Sequence, residues 1–146
     1  MLRRTCLFLL PLTGLVVGCK PMPVAGPALE PPAINLPQAA RGLDASEASA
    51  WIQASSSPTI LDVREDWEIR KFGGIPGAVW ADFLNDQRFE DAVAKLDSSR
   101  PCLVYCALGG RSRQAVVRLA AKGFMDLSWL EGGLEAWVQS GKPVRR

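Results

Sequence analysis

"PCLVYCALGGRSRQAVVRLAAKGF", residues 101 to 124, sets a short apolar run against a helical pattern, with a cysteine and two adjacent glycines at the join. The run PCLVYC reads as a strand entering the core, and Pro101 is acceptable as its first residue, where a ladder donor is least needed. Val116, Val117, Leu119 and Ala120 recur at helical spacing, and Gly123 supplies the stop. Ala107 to Gly110 then form the turn, and the helix is expected to begin near Arg111 or Ser112.

Working outward, the same strand and helix alternation recurs from residue 43 onward. "LDASEASAWIQAS" offers Asp44 or Ser46 as a helix cap, with Glu47 in the first turn and Ala48, Trp51 and Ile52 at helical spacing. "TILDV", residues 59 to 63, reads as a buried strand, and "REDWEIRKF" as a helix with a solvated charged face, ended by Gly73 and Gly74. "AVWADF" reads as a further short strand. "DQRFEDAVAKL", residues 86 to 96, places Phe89, Val93 and Leu96 on one helical face. "LSWLE" predicts a strand and "GLEAWVQSG" a last helix stopped by Gly141. The fold class is therefore α/β, a mostly parallel sheet with helices on both faces. The five tryptophans, at 51, 67, 80, 129 and 137, fall one per element, as core and rim packing would have them, with Trp67 or Trp80 candidates to line a cleft.

The first residues follow other rules. "MLRRTCLFLLPLTGLVVGC" has a basic start, an apolar stretch broken by Pro11, and small residues before Cys19. That is the grammar of a secretory signal, too short and too interrupted for the ~20 residues of a spanning helix. "VVGC", residues 16 to 19, resembles the lipobox of bacterial lipoproteins, which implies a signal over 1–18 and a lipid on Cys19. The chain is then expected to be exported and lipid-anchored to a membrane, on the periplasmic side in a Gram-negative cell, where Lys20 would permit passage to the outer membrane. Residues 19–42 hold six prolines and no periodicity, which reads as a semi-extended tether whose last few residues could pack on the domain. The folded domain is placed at 43–146.

Charge excludes one class of partner. Of 17 basic and 15 acidic residues, Arg3 and Arg4 leave with the signal, so the remainder is balanced and gives no support for nucleic acid. Once Cys6 and Cys19 are set aside, Cys102 and Cys106 remain. On one extended segment their Cα atoms stand about 13 Å apart, beyond the reach of a disulfide. Cysteine is among the most often buried residue types, so Cys102 reads as core.

Cys106 lies where such sheets place reactive groups, past the carboxyl end of a strand at the entry to a helix. Backbone N–H groups in a glycine-bearing turn converge there, and the helix end adds partial positive charge, which favours an anion at the sulfur. The chain contains no histidine. Cys-His pairs, serine-histidine triads and imidazole-ligated zinc are thereby excluded, and no metal or cofactor is expected. Loop amides, the helix end and Arg111 are left to stabilise the thiolate, which is the nucleophilic form. The same cradle suits an oxyanion above the sulfur.

"CALGGRS", Cys106 to Ser112, resembles the active-site loop of the rhodanese family of sulfurtransferases. "LDVREDWEIRKFGGIPGAVWADF", residues 61 to 83, is similar to the family's first signature, and "WLEGGLEAWVQSGKPV", residues 129 to 144, to its closing segment. The resemblance implies a single rhodanese-like domain in which Cys106 takes a sulfane sulfur from a small donor such as thiosulfate and passes it to a thiophilic acceptor, cyanide or a thiol. It implies that Ala107, Leu108, Gly109, Gly110, Arg111 and Ser112 bind the substrate, with Arg111 orienting an oxyanion donor. Asp62 and Arg64 become structural braces for the loop, and a thiol-redox protein is a candidate partner. Four residues separate Cys106 from Arg111, whereas the phosphatase cousins enclose five, so sulfur transfer is favoured over phosphoryl transfer. The other class of reading is a low-turnover docking or sulfur-sensing module. Gly74 stands where the family usually has histidine, which bears on local packing.

Overall fold

The computed structural model describes residues 40–146. The expected signal, Cys19 and nearly all of the proline-rich segment lie outside the described residues. In chain order the elements are β1 (Arg41–Leu43), α1 (Ala45–Ala54), β2 (Thr59–Asp62), α2 (Asp66–Phe72), β3 (Val79–Trp80), α3 (Asp86–Val93), β4 (Cys102–Tyr105), α4 (Gly110–Ala121), β5 (Leu127–Leu130) and α5 (Gly133–Gln139). The strands form one sheet in the order β1-β5-β4-β2-β3, and every pairing is parallel. The α/β class and the two-faced cover are as the sequence implied.

The central strand shows why. Along β4 the side chains alternate between two cores. Cys102 and Val104, with Cys106 beyond the strand end, join Leu61, Phe89, Val116 and Leu119, the face covered by α3 and α4. Leu103 and Tyr105 join Ile60, Ala48, Leu134 and Trp137, the face covered by α1 and α5. Leu61, Leu103 and Leu119 are wholly buried, each adding about 1.5–3 kcal/mol relative to exposure. A strand buried on both faces has no solvent side to alternate toward, which is why CLVY reads as an unbroken apolar run and TILD keeps its polar residues, Thr59 and the ion-paired Asp62, at its two ends.

Several local expectations shift. Residues 41–43 are an edge strand paired with β5, so the sheet begins two residues before the expected boundary at 43, as the option of packing the tether's last residues allowed. Arg-Gly-Leu is too short to carry a pattern. Asp44, of the two candidate caps, takes the N-cap of α1, accepting from the Ser46 and Glu47 amides, while Glu47 reaches back to the Asp44 amide. Helix α4 starts at Gly110 rather than Arg111 or Ser112, because Gly109 supplies the turn with φ +97°. Of the tryptophans, Trp129 and Trp137 are core, Trp51 is half-buried, and Trp67 and Trp80 are exposed.

The "REDWEIRK" segment differs most from its expected solvated face. Arg64 and Glu68 are buried, the former before the helix and the latter within it. Asp66 and Arg70 do pair on the solvent side, at 2.6 Å. No helix among the described residues is long and apolar enough to cross a membrane.

Candidate functional site

Strand β4 ends at Tyr105, so Cys106 is the first residue beyond the sheet, and α4 begins four residues later. The loop between is held from behind. The Leu134 amide at the start of α5 donates to the Cys106 carbonyl at 2.8 Å, and the Glu135 amide donates to the Ala107 carbonyl at 3.2 Å. With its carbonyls drawn toward α5, the loop turns amide hydrogens inward. Gly109 N–H donates to the Cys106 Sγ at 3.1 Å. Ser112 Oγ lies 3.8 Å from the sulfur and donates to the Gly109 carbonyl at 2.8 Å, closing the ring of contacts from the helix side. Of the expected loop amides, that of Gly109 is the one in hydrogen-bonding geometry with the sulfur.

Cys106 is only 1% exposed, whereas Leu108 at the loop tip is 68% exposed. The sulfur therefore sits on the floor of the loop and Leu108 at its rim. Ala107 is half-buried, Gly109 and Ser112 are buried, and Gly110 is exposed. Cys102, on the same face one strand length away, is a free thiol like Cys106. Burial, with the Asp126 charge beside it, pushes its thiol up to about 12, which leaves it protonated and inert at neutral pH.

Arg111, expected to orient an oxyanion donor, is paired with a carboxylate. Its two terminal nitrogens bond both oxygens of Glu68, at 2.6 and 2.7 Å, in a fork-to-fork pair. Those bonds hold the Glu68 carboxyl below its ordinary range, against the opposing effect of burial. Hydrogen bonding to Glu68 likewise raises Arg111, and the charges of Glu68, Cys106 and Glu65 add to the effect. Glu68 Oε2 also accepts the Glu65 amide at 3.0 Å, so the carboxylate both caps α2 and grips the loop. Sequence reasoning missed this residue. Its one signal was the glutamate three places after Glu65 at the start of a helix.

Asp62 and Arg64 form a second, buried pair. Arg64 Nε and Nη2 bond the two Asp62 oxygens at 2.9 and 2.6 Å, and Nη2 also donates to the Gly73 carbonyl at 2.6 Å. Tyr105 donates to Asp62 Oδ2 at 2.7 Å and accepts the Ile75 amide at 3.0 Å. Burial, foremost, and the nearby Asp62 carboxylate push the tyrosine hydroxyl well up from its ordinary value, so it remains a donor. The brace thus ties residues 73–75 to Tyr105, the residue before the cysteine, rather than to the loop itself. A β-carbon on Gly74 would stand 2.8 Å from the Tyr105 hydroxyl, so glycine at this position makes room for the tyrosine. The family histidine's absence is thereby matched by a packed, hydrogen-bonded neighbour.

Two grooves flank this brace without reaching Cys106. One, of about 460 Å³, is lined by Trp80, Asp82 and Arg88 among others. The other, of about 300 Å³, lies beside Gly74, Tyr105 and Arg145. Trp80 contributes to both, and its indole donates to the Arg64 carbonyl at 2.7 Å. Among the described residues no three His, Cys, Asp or Glu side chains converge as a metal site.

Comparison with known proteins agrees with the geometry. The family described as rhodanese-like domain matches residues 44–140. The probable adenylyltransferase/sulfurtransferase MoeZ of Mycobacterium tuberculosis is 30% identical over 113 residues, covering 73% of this chain but only 27% of the relative. The thiosulfate sulfurtransferase GlpE of Pseudomonas savastanoi is 33% identical over 78 residues, 53% of this chain and 70% of that one. Among solved structures, the rhodanese-like domain of an Anabaena protein superposes with a TM-score of 0.63 at 32% identity, covering 71% of this chain and 77% of its own. A cysteine loop at the head of a helix in a five-stranded parallel sheet, matched along 44–140, means that this chain belongs to the rhodanese-like family.

Proposed function

We propose that the domain is a sulfurtransferase in which Cys106 carries a sulfane sulfur as a persulfide. The Cys106 thiolate attacks the outer sulfur of a donor, that sulfur's bond to the rest of the donor breaks, and the remainder leaves with the electron pair, as sulfite in the case of thiosulfate. A thiophilic acceptor then attacks the outer sulfur of the persulfide and regenerates the thiolate. Two half-reactions through one covalent intermediate give ping-pong kinetics. The observation that carries this reading is the Gly109 N–H on the Cys106 sulfur, within a loop whose backbone carbonyls are held by α5. The relatives named sulfurtransferases support the same chemistry.

The experiment is thiocyanate formation from thiosulfate and cyanide. Parallel double-reciprocal lines that vanish in Cys106→Ser support the reading, and intersecting lines or a fully active serine variant contradict it. The 1% exposure of Cys106 favours a second reading, a docking or sulfur-sensing module of low turnover. As a docking module it predicts a folded protein that accepts no sulfur, and as a sensor one that accepts sulfur without turnover. The signal-like stretch ending at Cys19 supports a further proposal, that lipid on this cysteine anchors the domain to a membrane outside the cytoplasm, with the proline-rich residues before β1 as tether. Metabolic labelling with a fatty-acid analogue, lost in Cys19→Ala, tests it.

A further inference from the structure

Glu68 takes away from the loop the one cation expected to receive an anionic donor. We propose that it is a specificity-determining residue, tuning the site toward sulfane sulfur carried on an organic thiol, whose persulfide end brings at most one negative charge to the loop, and against compact sulfoxy dianions such as thiosulfate. The inference rests on the sulfurtransferase reading above.

Three observations carry it. A guanidinium grips an oxyanion through a pair of parallel N–H groups, and Arg111 gives the pair at its tip, both terminal nitrogens, to Glu68 at 2.6 and 2.7 Å, which leaves its Nε edge and sets a carboxylate beside any anion that edge would take. The carboxylate is also fixed in place, because Glu68 is 5% exposed and its Oε2 accepts the Glu65 amide at the start of α2. Swinging aside would cost it three hydrogen bonds. The two ion pairs therefore leave no excess positive charge at the loop, since Arg64 is likewise paired with Asp62, and Glu65 adds a further negative group. Arg113, the next cation along α4, lies over the Trp129 ring at 5.8 Å.

The rim matches an organic donor. Leu108 in the loop and Trp67 beside Glu68, 68% and 56% exposed, belong to the two segments that the Glu68–Arg111 pair joins. Apolar contact with the body of a donor is available there, and nothing about it requires a negative charge. With a hydropersulfide R–S–SH, the Cys106 thiolate attacks the outer sulfur, the S–S bond breaks, R–S⁻ leaves and Cys106–S–SH forms. One thiolate is consumed and one released, so no added proton or electron is needed. Thiosulfate would instead bring two negative charges against the Glu68 carboxylate.

The test is single-turnover loading of the full chain, read by intact mass, with glutathione persulfide and with thiosulfate, in wild type and Glu68→Gln. Wild type should load from glutathione persulfide at least about tenfold faster than from thiosulfate, the size of one surface charge-pair difference. In Glu68→Gln the thiosulfate rate should rise about tenfold and become more salt-sensitive, while the persulfide rate changes less than about threefold. Glu68→Asp, which keeps the charge but shortens the reach, should show the same split to a smaller degree and serves if the glutamine variant unfolds. A thiosulfate rate that stays level or falls in both variants overturns the proposal, as does a wild type that prefers thiosulfate. Failure of wild type to load from either donor overturns the sulfur-transfer reading and this one with it.

Discussion

The Leu134 amide and the Cys106 carbonyl, 2.8 Å apart, join the last helix to the residue at the centre of the loop. Gly133 makes the contact possible. Its φ is +60°, and a β-carbon there would stand 2.4 Å from the Ala107 oxygen and 2.5 Å from the Cys106 oxygen. Gly133→Ala should therefore displace the loop. Sulfur transfer is expected to fall at least about tenfold, with about 2–3 kcal/mol lost in urea unfolding. Gly141→Ala is the control, since its φ is also positive but nothing lies within 4 Å of the added carbon. It should cost about 1–2 kcal/mol and leave turnover within about twofold.

Asp62 and Arg64 are both buried, so removing one partner strands the other. Asp62→Ala leaves a guanidinium with the Gly73 carbonyl as its remaining partner, and should destabilise the domain by about 3–5 kcal/mol. Chemical denaturation measures it. A loss below about 1 kcal/mol would mean that water reaches Arg64 once the carboxylate is gone.

Gly74 and Tyr105 predict non-additivity. Gly74→Ala forces a carbon to 2.8 Å from the tyrosine hydroxyl, and Tyr105→Phe alone leaves the Ile75 amide without its acceptor, each costing about 1–3 kcal/mol. In the double variant the clash is gone. Its cost should fall short of the sum by about 1 kcal/mol or more in a double-mutant cycle.

Glu68 gives a pH signature. The Arg111 hydrogen bonds lower its native pKa from the ordinary 4.5, so the unfolded chain takes up a proton at a pH where the folded one does not. The contribution is complete above that ordinary value and is lost as pH falls through the lowered native one. Wild type should accordingly lose stability relative to Glu68→Gln as pH drops from about 5.5 toward 3, and the difference should be flat from pH 6 to 8. Thermal melts across that range measure it. A difference that stays level, or that shrinks as pH rises from 3 to 5.5, would contradict the pair.

The fold was legible because each element carries its own signal. Apolar runs such as TILD and CLVY, the Asp44 to Glu47 capping pattern and the glycine stops fall where the structure puts strands, cap and ends. Cys106 was legible from its place between strand and helix. Long-range partners were not. Nothing local distinguishes Glu68, gripping Arg111 forty-three positions away, from Asp66 and Arg70, which pair on the solvent side of the same helix. The reach of α5 back to the Cys106 carbonyl shows in the sequence only as two glycines, and the brace through Tyr105 spans a similar distance along the chain.

Intact mass of the protein after mixing with a sulfane-sulfur donor addresses the central claim most directly. A gain of one sulfur atom, discharged by cyanide and absent from Cys106→Ser, is the predicted result. A wild-type protein that stays at its starting mass with both thiosulfate and glutathione persulfide, while folded and with its thiols reduced, would contradict it.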